Sequence, residues 1–319
     1  YKRVSDYMIY IGKHSKKFEN EFCNIALEEL DEHVNVNEFV NECKKIIPIT
    51  IIDTDDTEDF LKQLILLPYC RIEEIYNYIS NGTNVDYNNI VFENNNLRDA
   101  FADYHDCYEN VRDHKYNNKK ISIALTEDLN LTVCPYCNRD YINGRSDDNS
   151  GCQLDHFFCR SKYPFLSVSL YNLVPSCSVC NNIKRENVGL VSPFDDRFKF
   201  DKEIKFRYIK SKDYIKLKRK GKSKIKNNID TLKLEDAYQI HNSEAKKILE
   251  KKETYVSSNL DEIADCINKW TNKSGKGGEI DRHYLQNLIY GKEMEAEDYK
   301  TCALGKFKHD ILEYYKVYK

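Results

Sequence analysis

The sequence predicts an α+β protein, with mainly α-helical regions at both ends, a small mixed core between them and a basic β-hairpin after the core. Three observations carry that expectation. Apolar residues recur at helical spacing through both ends of the 319-residue chain. Two C-x-x-C pairs bracket a stretch whose texture turns to glycines, prolines and short apolar runs. "IKFRYI" and "YIKLK" alternate apolar with basic residues on either side of "KSKD", as the arms of a hairpin do. The expected boundaries are a helical region over 1–130, the cysteine-rich core over 131–198, and the hairpin with a helical tail over 199–319.

The elements follow in order. Phe18, Phe22, Ile25, Ala26 and Leu30 predict a helix within 17–45. "DTDDTEDFLKQLILL" offers capping side chains before a second helix that ends near Pro68, and "YCRIEEIYNYI" predicts a third, stopped by "SNG". A longer helix is expected over 96–114 and another over 121–129. After the hairpin and "KGKSKIKNN" come "LEDAYQIHNSEAKKILEKKETY", "LDEIADCINKW", the loop "TNKSGKGGE" and a last helical stretch through Tyr318.

Composition narrows the class. At 41% hydrophobic and 32% charged residues the chain reads as a globular protein. It lacks the run of about 20 apolar residues that a membrane span needs, and no secretory signal is visible. Twelve cysteines in such a chain read as metal ligands or small buried apolar groups, so a reducing, cytoplasmic setting is expected. The net charge of −3 argues against a general polyanion binder. Yet 17–75 carries a net −10 and 199–226 a net +10, which suggests one surface for nucleic acid and another for a different partner.

"CPYC" and "CSVC" place Cys134, Cys137, Cys177 and Cys180 as two knuckles separated by 39 residues. Two thiolates three apart bind one Zn²⁺ from a tight turn, and two such turns complete a tetrahedral structural site. The stretch between the knuckles is too long for a plain zinc ribbon. It contains "CQLDHFFCRSKYPF", where Asp155 and His156 stand side by side in an apolar run. Burying both groups is costly unless something pairs with them. Asn172 follows in "SLYNLVPSC" and Asn181 directly after the last cysteine in "CNNIK".

This order of Cys pair, Asp-His, Asn, Cys pair and Asn resembles the HNH endonucleases of the ββα-metal group in their four-cysteine form. The resemblance covers 134–186. It implies a ββα-metal core in which Asp155 and Asn181 bind a catalytic divalent cation and His156 is the general base, with Asn172 tying the loop that orients it. The chemistry suits those residue types. Imidazole accepts a proton from water near neutral pH. A hard cation, Mg²⁺ or another divalent ion, takes carboxylate and amide oxygens and keeps places for water and phosphate. Arg160, Lys184 and Arg185 are expected phosphate contacts beside the motif, and Lys216 and Lys218 on the basic hairpin are expected to track the backbone.

The stretch from Leu154 to Lys184 is similar to the nuclease subunits of Septu-type and retron-linked anti-phage systems. That likeness implies an ATPase partner subunit, a defence role and DNA as substrate. Where a Pro-Lys-Ser is expected after the Asp-His-aromatic run, this chain has Cys159, Arg160 and Ser161. Two alternatives stand beside this reading: the same core acting on RNA, including tRNA, or a zinc-stabilised adaptor that binds without cutting. An adaptor needs only the cysteines.

Overall fold

The computed structural model describes residues 9–81, 95–198, 203–219, 224–274 and 279–318. The glycine of the "SNG" stop, the "KGK" of 220–222 and the middle of the loop at 275–278 lie outside these residues.

The N-terminal part is a layer of helices: α1 (Lys16–His33), α2 (Val36–Ile46), α3 (Thr57–Ile65), α4 (Tyr69–Asn81) and α5 (Asn95–Asp113). Ser15, Asn35 and Asp56 cap the first three, each accepting a backbone N–H two or three residues into its helix. The expected 17–45 helix is two helices. Val34 is extended at the end of α1, and Asn35 restarts the chain as the cap of α2. Phe39 of α2 stacks on Tyr104 of α5 at 4.0 Å and meets Phe101 edge-on.

A two-residue hairpin that periodicity did not foretell follows α5. Strands β1 (Lys115–Tyr116) and β2 (Lys119–Lys120) are joined by Asn117 and Asn118, both at positive φ, and β2 runs straight into α6 (Ile121–Asp128). Asparagine tolerates the left-handed region, so Asn-Asn suits a tight hairpin turn.

Next come β3 (Gln153–His156), β4 (Leu173–Ser176) and the short helix α7 (Ser178–Lys184). The strands pair antiparallel with Asp155 opposite Val174 and His156 opposite Leu173. Gly151 leads into β3 where only glycine fits, since a Cβ there would lie 2.2 Å from the Asn143 carbonyl oxygen. The loop between the strands is fastened to the helical layer by two buried serines. Ser167 Oγ donates to the Tyr104 carbonyl of α5 and Ser169 Oγ to the Leu64 carbonyl of α3, each at 3.0 Å.

The basic hairpin is β5 (Ile204–Ile209) with β6 (Tyr214–Arg219). Its apolar face joins Tyr238 and Phe307, which both pack on Phe206. An unexpected short helix, α8 (Ile225–Thr231), follows it, and the helical stretch expected over 234–255 is broken into α9 (Leu234–Tyr238) and α10 (Asn242–Thr254) by a 3-10 turn over Gln239–His241. Helices α11 (Ser257–Ser274) and α12 (Arg282–Tyr290) pair around a small separate cluster of Leu260, Ala264 and Leu285. The last helix, α13 (Gly305–Tyr314), lies on β5, where the Asp310 carboxylate accepts the Phe206 N–H at 3.0 Å and pairs with Lys205 and Lys306.

One hydrophobic cluster runs from Ile9 to Ile311, so the three expected regions share a core. The C-terminal part also reaches back to the first cysteine knuckle. Asn138 donates to the Tyr299 and Cys302 carbonyls and accepts the Lys306 N–H, and its own carbonyl accepts Leu304 N–H at 2.7 Å. Tyr238 Oη donates to the Cys137 carbonyl at 2.6 Å. Among the described residues, no helix is long and apolar enough to cross a membrane.

Candidate active site and four-cysteine centre

The four paired cysteines come together. Cys134, Cys137, Cys177 and Cys180 are all buried, and their sulfur atoms lie within 4.8 Å of one another. Cys177 caps α7, its Sγ accepting the Cys180 N–H at 3.4 Å, so the helix starts at the centre itself. Four buried thiols at this spacing form a donor set that fits a metal such as zinc. The other eight cysteines are also free, and no second cysteine group gathers among the described residues.

The second knuckle determines which face of α7 points inward. Cys177, Cys180 and Lys184 follow at three- and four-residue steps, so Lys184 is drawn inside with the cysteines. It is fully buried, while Val179 and Ile183 on the other side are exposed. This corrects one expectation: Lys184 is no surface phosphate contact. Its Nζ lies 3.0 Å from Asp155 Oδ1 and 3.0 Å from the His156 carbonyl. Asp155 Oδ2 accepts the Tyr136 hydroxyl at 2.6 Å. Burial raises the Asp155 pKa, and Lys184 and Tyr136 oppose that by holding the anion. Burial also keeps the Tyr136 phenol protonated, and so a donor, by lifting its pKa well above the usual value.

His156 sits where β3 ends. Its Nε2 is 2.9 Å from the Ser167 carbonyl oxygen, which can only accept. The proton is therefore on Nε2, and Nδ1 carries the lone pair. Burial pushes the imidazolium pKa down to about 3 against the pull of that carbonyl, so the ring is neutral at pH 7. Tyr108 packs against it in a T-shaped arrangement with ring centroids 4.4 Å apart. Asn172 is completely buried in the loop between the strands. It accepts the Phe158 N–H at 2.8 Å and donates to the Phe158 and Leu166 carbonyls at 3.0 Å each, which fixes the chain just after His156. Asn181, fourth residue of α7, gives its Nδ2–H to Gln153 Oε1 at 2.8 Å, so its own Oδ1 remains an acceptor.

Asp155, His156 and Asn181 line one cavity of about 660 Å³. Arg160 and Arg185 line it too, whereas Lys216 and Lys218 do not: they lie on β6, and Lys216 pairs with Glu235 at 2.8 Å. The far wall was not foreseen. It is made by α5 and by β2 of the small hairpin after it, through His105, Glu109, Arg112 and Lys120. Glu109 ties this wall to the motif, pairing with Arg160 at 2.8 Å and with Arg112, while Arg160 lies over the Tyr108 ring at 5.2 Å. The one available signal was the cluster of charged and aromatic residues in "DYHDCYENVRDHK", whose spacing gives no hint of a partner fifty residues away.

No protein-family model matches the chain, and no curated protein or solved structure matches it. The site is therefore argued from its own atoms. It unites a neutral imidazole in a fixed tautomer, a carboxylate and an amide oxygen in one cavity whose rim carries arginines. That set can accept a proton from water, hold a hard cation and attract an anion.

Proposed function

We propose that the chain is a metal-dependent HNH-type endonuclease that hydrolyses phosphodiester bonds in nucleic acid, with DNA as the first substrate to test. The observation that carries the reading is the pairing of His156 Nε2–H with the Ser167 carbonyl in the cavity that also receives Asp155 and Asn181. The carbonyl holds the ring in the tautomer that leaves the lone pair on Nδ1, in a cavity that Asp155 and Asn181 also line.

In this reading His156 takes the proton from the attacking water. Asp155 and Asn181 fit a hard divalent ion such as Mg²⁺: Asp155 has one donor on each oxygen and so one lone pair left on each, and Asn181 has Oδ1. When bound, Mg²⁺ polarises the phosphate and stabilises the departing 3′ oxygen. Arg160 and Arg185 attract the phosphate, and Asn172 holds the loop that orients the base. Zinc in the four-cysteine centre is the structural ion, since four thiolates leave no open coordination position.

The test is cleavage of plasmid, single-stranded DNA and tRNA with Mg²⁺ or EDTA, by the wild type and His156→Ala. Metal-dependent cutting lost in the variant supports the reading and names the substrate. A folded, zinc-loaded wild type that binds nucleic acid without cutting any of the three, with or without an ATPase partner, points to the adaptor. The ATPase partner and the defence role rest on the resemblance alone; co-migration with a candidate ATPase in size exclusion tests them.

A further inference from the structure

Asp155 is held from two sides, and each hold comes from a different cysteine pair. Tyr136 lies between Cys134 and Cys137, and its hydroxyl reaches Asp155 Oδ2 at 2.6 Å. Lys184 ends α7, the helix that Cys177 caps and Cys180 anchors, and its Nζ reaches Asp155 Oδ1 at 3.0 Å. Neither contact is a loose surface bond: Tyr136 is 2% exposed and Lys184 0%. A buried ammonium requires its counter-charge, and a buried carboxylate requires donors, so each group specifies the position of the other.

We propose that Tyr136 and Lys184 are positioning residues through which the four-cysteine centre sets the orientation of Asp155. Joining the two knuckles fixes the distance between the two arms, and that distance fixes the rotation of the carboxylate. The inward lone pairs are used on the arms, which leaves the remaining ones directed elsewhere. What Asp155 then does with them rests on the nuclease reading; the grip itself does not. In metal sites, side chains that orient a ligand without touching the ion change affinity by about ten- to a hundredfold when removed.

The experiment uses the full chain and four variants: Tyr136→Phe, Lys184→Met, Asp155→Asn, and Tyr136→Phe with Asp155→Asn. Thermal unfolding closes a double-mutant cycle between Tyr136 and Asp155. Co²⁺ absorption reports the thiolate centre, Mn²⁺ binding is read by electron paramagnetic resonance, and cleavage is titrated with Mg²⁺. The expected result for Tyr136→Phe is an unchanged Co²⁺–thiolate spectrum, Mn²⁺ affinity lower by about tenfold or more, and a matching rise in the Mg²⁺ needed for half-maximal cleavage, with KM for nucleic acid little moved. The Tm losses of Tyr136→Phe and Asp155→Asn should be non-additive. Lys184→Met should behave alike but more severely; if it does not fold, Tyr136→Phe alone decides.

Additive Tm losses, or wild-type Mn²⁺ affinity and Mg²⁺ dependence in Tyr136→Phe, overturn the proposal while leaving the nuclease reading intact. A wild type that neither binds Mn²⁺ nor cuts, yet shows the non-additive cycle, ends the nuclease reading and supports the link between the centre and Asp155.

Discussion

His156 and Ser167 face each other through Nε2 and a backbone carbonyl at 2.9 Å, and the same serine gives its hydroxyl to Tyr104 in α5 at 3.0 Å. The base of the candidate site is thus fastened, through one residue, to the N-terminal helices. Because the ring's one donated bond goes to a carbonyl, replacing it leaves an acceptor without a partner but no buried charge. His156→Ala should therefore retain its fold, seen as a near-wild-type circular dichroism spectrum and a small Tm change. Its cleavage rate should fall by about 10²- to 10⁴-fold, the usual worth of a general base. A variant that cuts at half the wild-type rate would remove His156 from the chemistry.

Asn172 makes three bonds inside the loop between β3 and β4 and is fully buried. Asn172→Ala leaves one N–H and two carbonyls without that partner, at a cost of about 1–3 kcal/mol for each group that finds no substitute. Urea unfolding should show a loss of about 2–4 kcal/mol. Asn172→Asp should do no better, since a carboxylate cannot donate to the Phe158 and Leu166 carbonyls. A loss below about 0.5 kcal/mol would mean that the loop is held by other contacts.

The rim of the cavity and the basic hairpin make opposite predictions for nucleic-acid binding. Lys120 lines the cavity, whereas Lys216 lies away from it and is paired with Glu235. Each phosphate contact contributes a slope of about 0.9 to the fall of log affinity with log salt on duplex DNA, or about 0.7 on a single strand. Lys120→Ala should reduce the slope by about that amount, and Lys216→Ala should leave it unchanged. A hairpin that follows the backbone would reverse the two results.

His14 offers a pH test away from the cavity. It is buried against Phe18, Tyr171 and Phe194, with Nδ1 2.9 Å from Asp128. Burial lowers its pKa below the ordinary 6.5, and the Asp128 hydrogen bond only partly opposes that. Below pH about 6.5 the unfolded chain therefore binds a proton that the folded chain refuses, so this contribution to stability is full above that pH and is lost as pH falls toward the lowered value. The Tm of the wild type should drop between pH 7 and pH 5, and His14→Phe should drop less. An identical drop in both would assign the acid sensitivity to other groups.

The sequence made parts of this site legible and hid others, for reasons that the residues show. The four cysteines could be paired because metal geometry constrains their spacing. The basic hairpin was visible because alternation of period two repeats along both arms. The break at Asn35 is marked only by the cap residue and by the two-residue step from Val34 to Val36, signals too short to stand out within two apolar-periodic helices. Lys184 was misread because a lysine on a short helix is ordinarily solvated. The clue lay in its offset from Cys177 and Cys180, which places all three on one side of a helix whose inward face is chosen by sulfur rather than by oil. The wall made by α5 had only the charged and aromatic cluster of 103–115 as a local signal, and that cluster names no partner. Glu109 meets Arg160 and Tyr108 meets His156 across about fifty residues of chain, and no periodicity encodes a contact at that distance.

Asn138 adds a consequence that concerns time rather than space. It lies next to Cys137, yet its side chain and backbone are bonded to residues between Tyr299 and Lys306. While the chain is being synthesised, the first knuckle leaves the ribosome long before the segment from Tyr299 to Lys306 that braces it has been made. A chain interrupted before residue 299 carries all four cysteines and every residue of the motif but lacks the brace at Asn138.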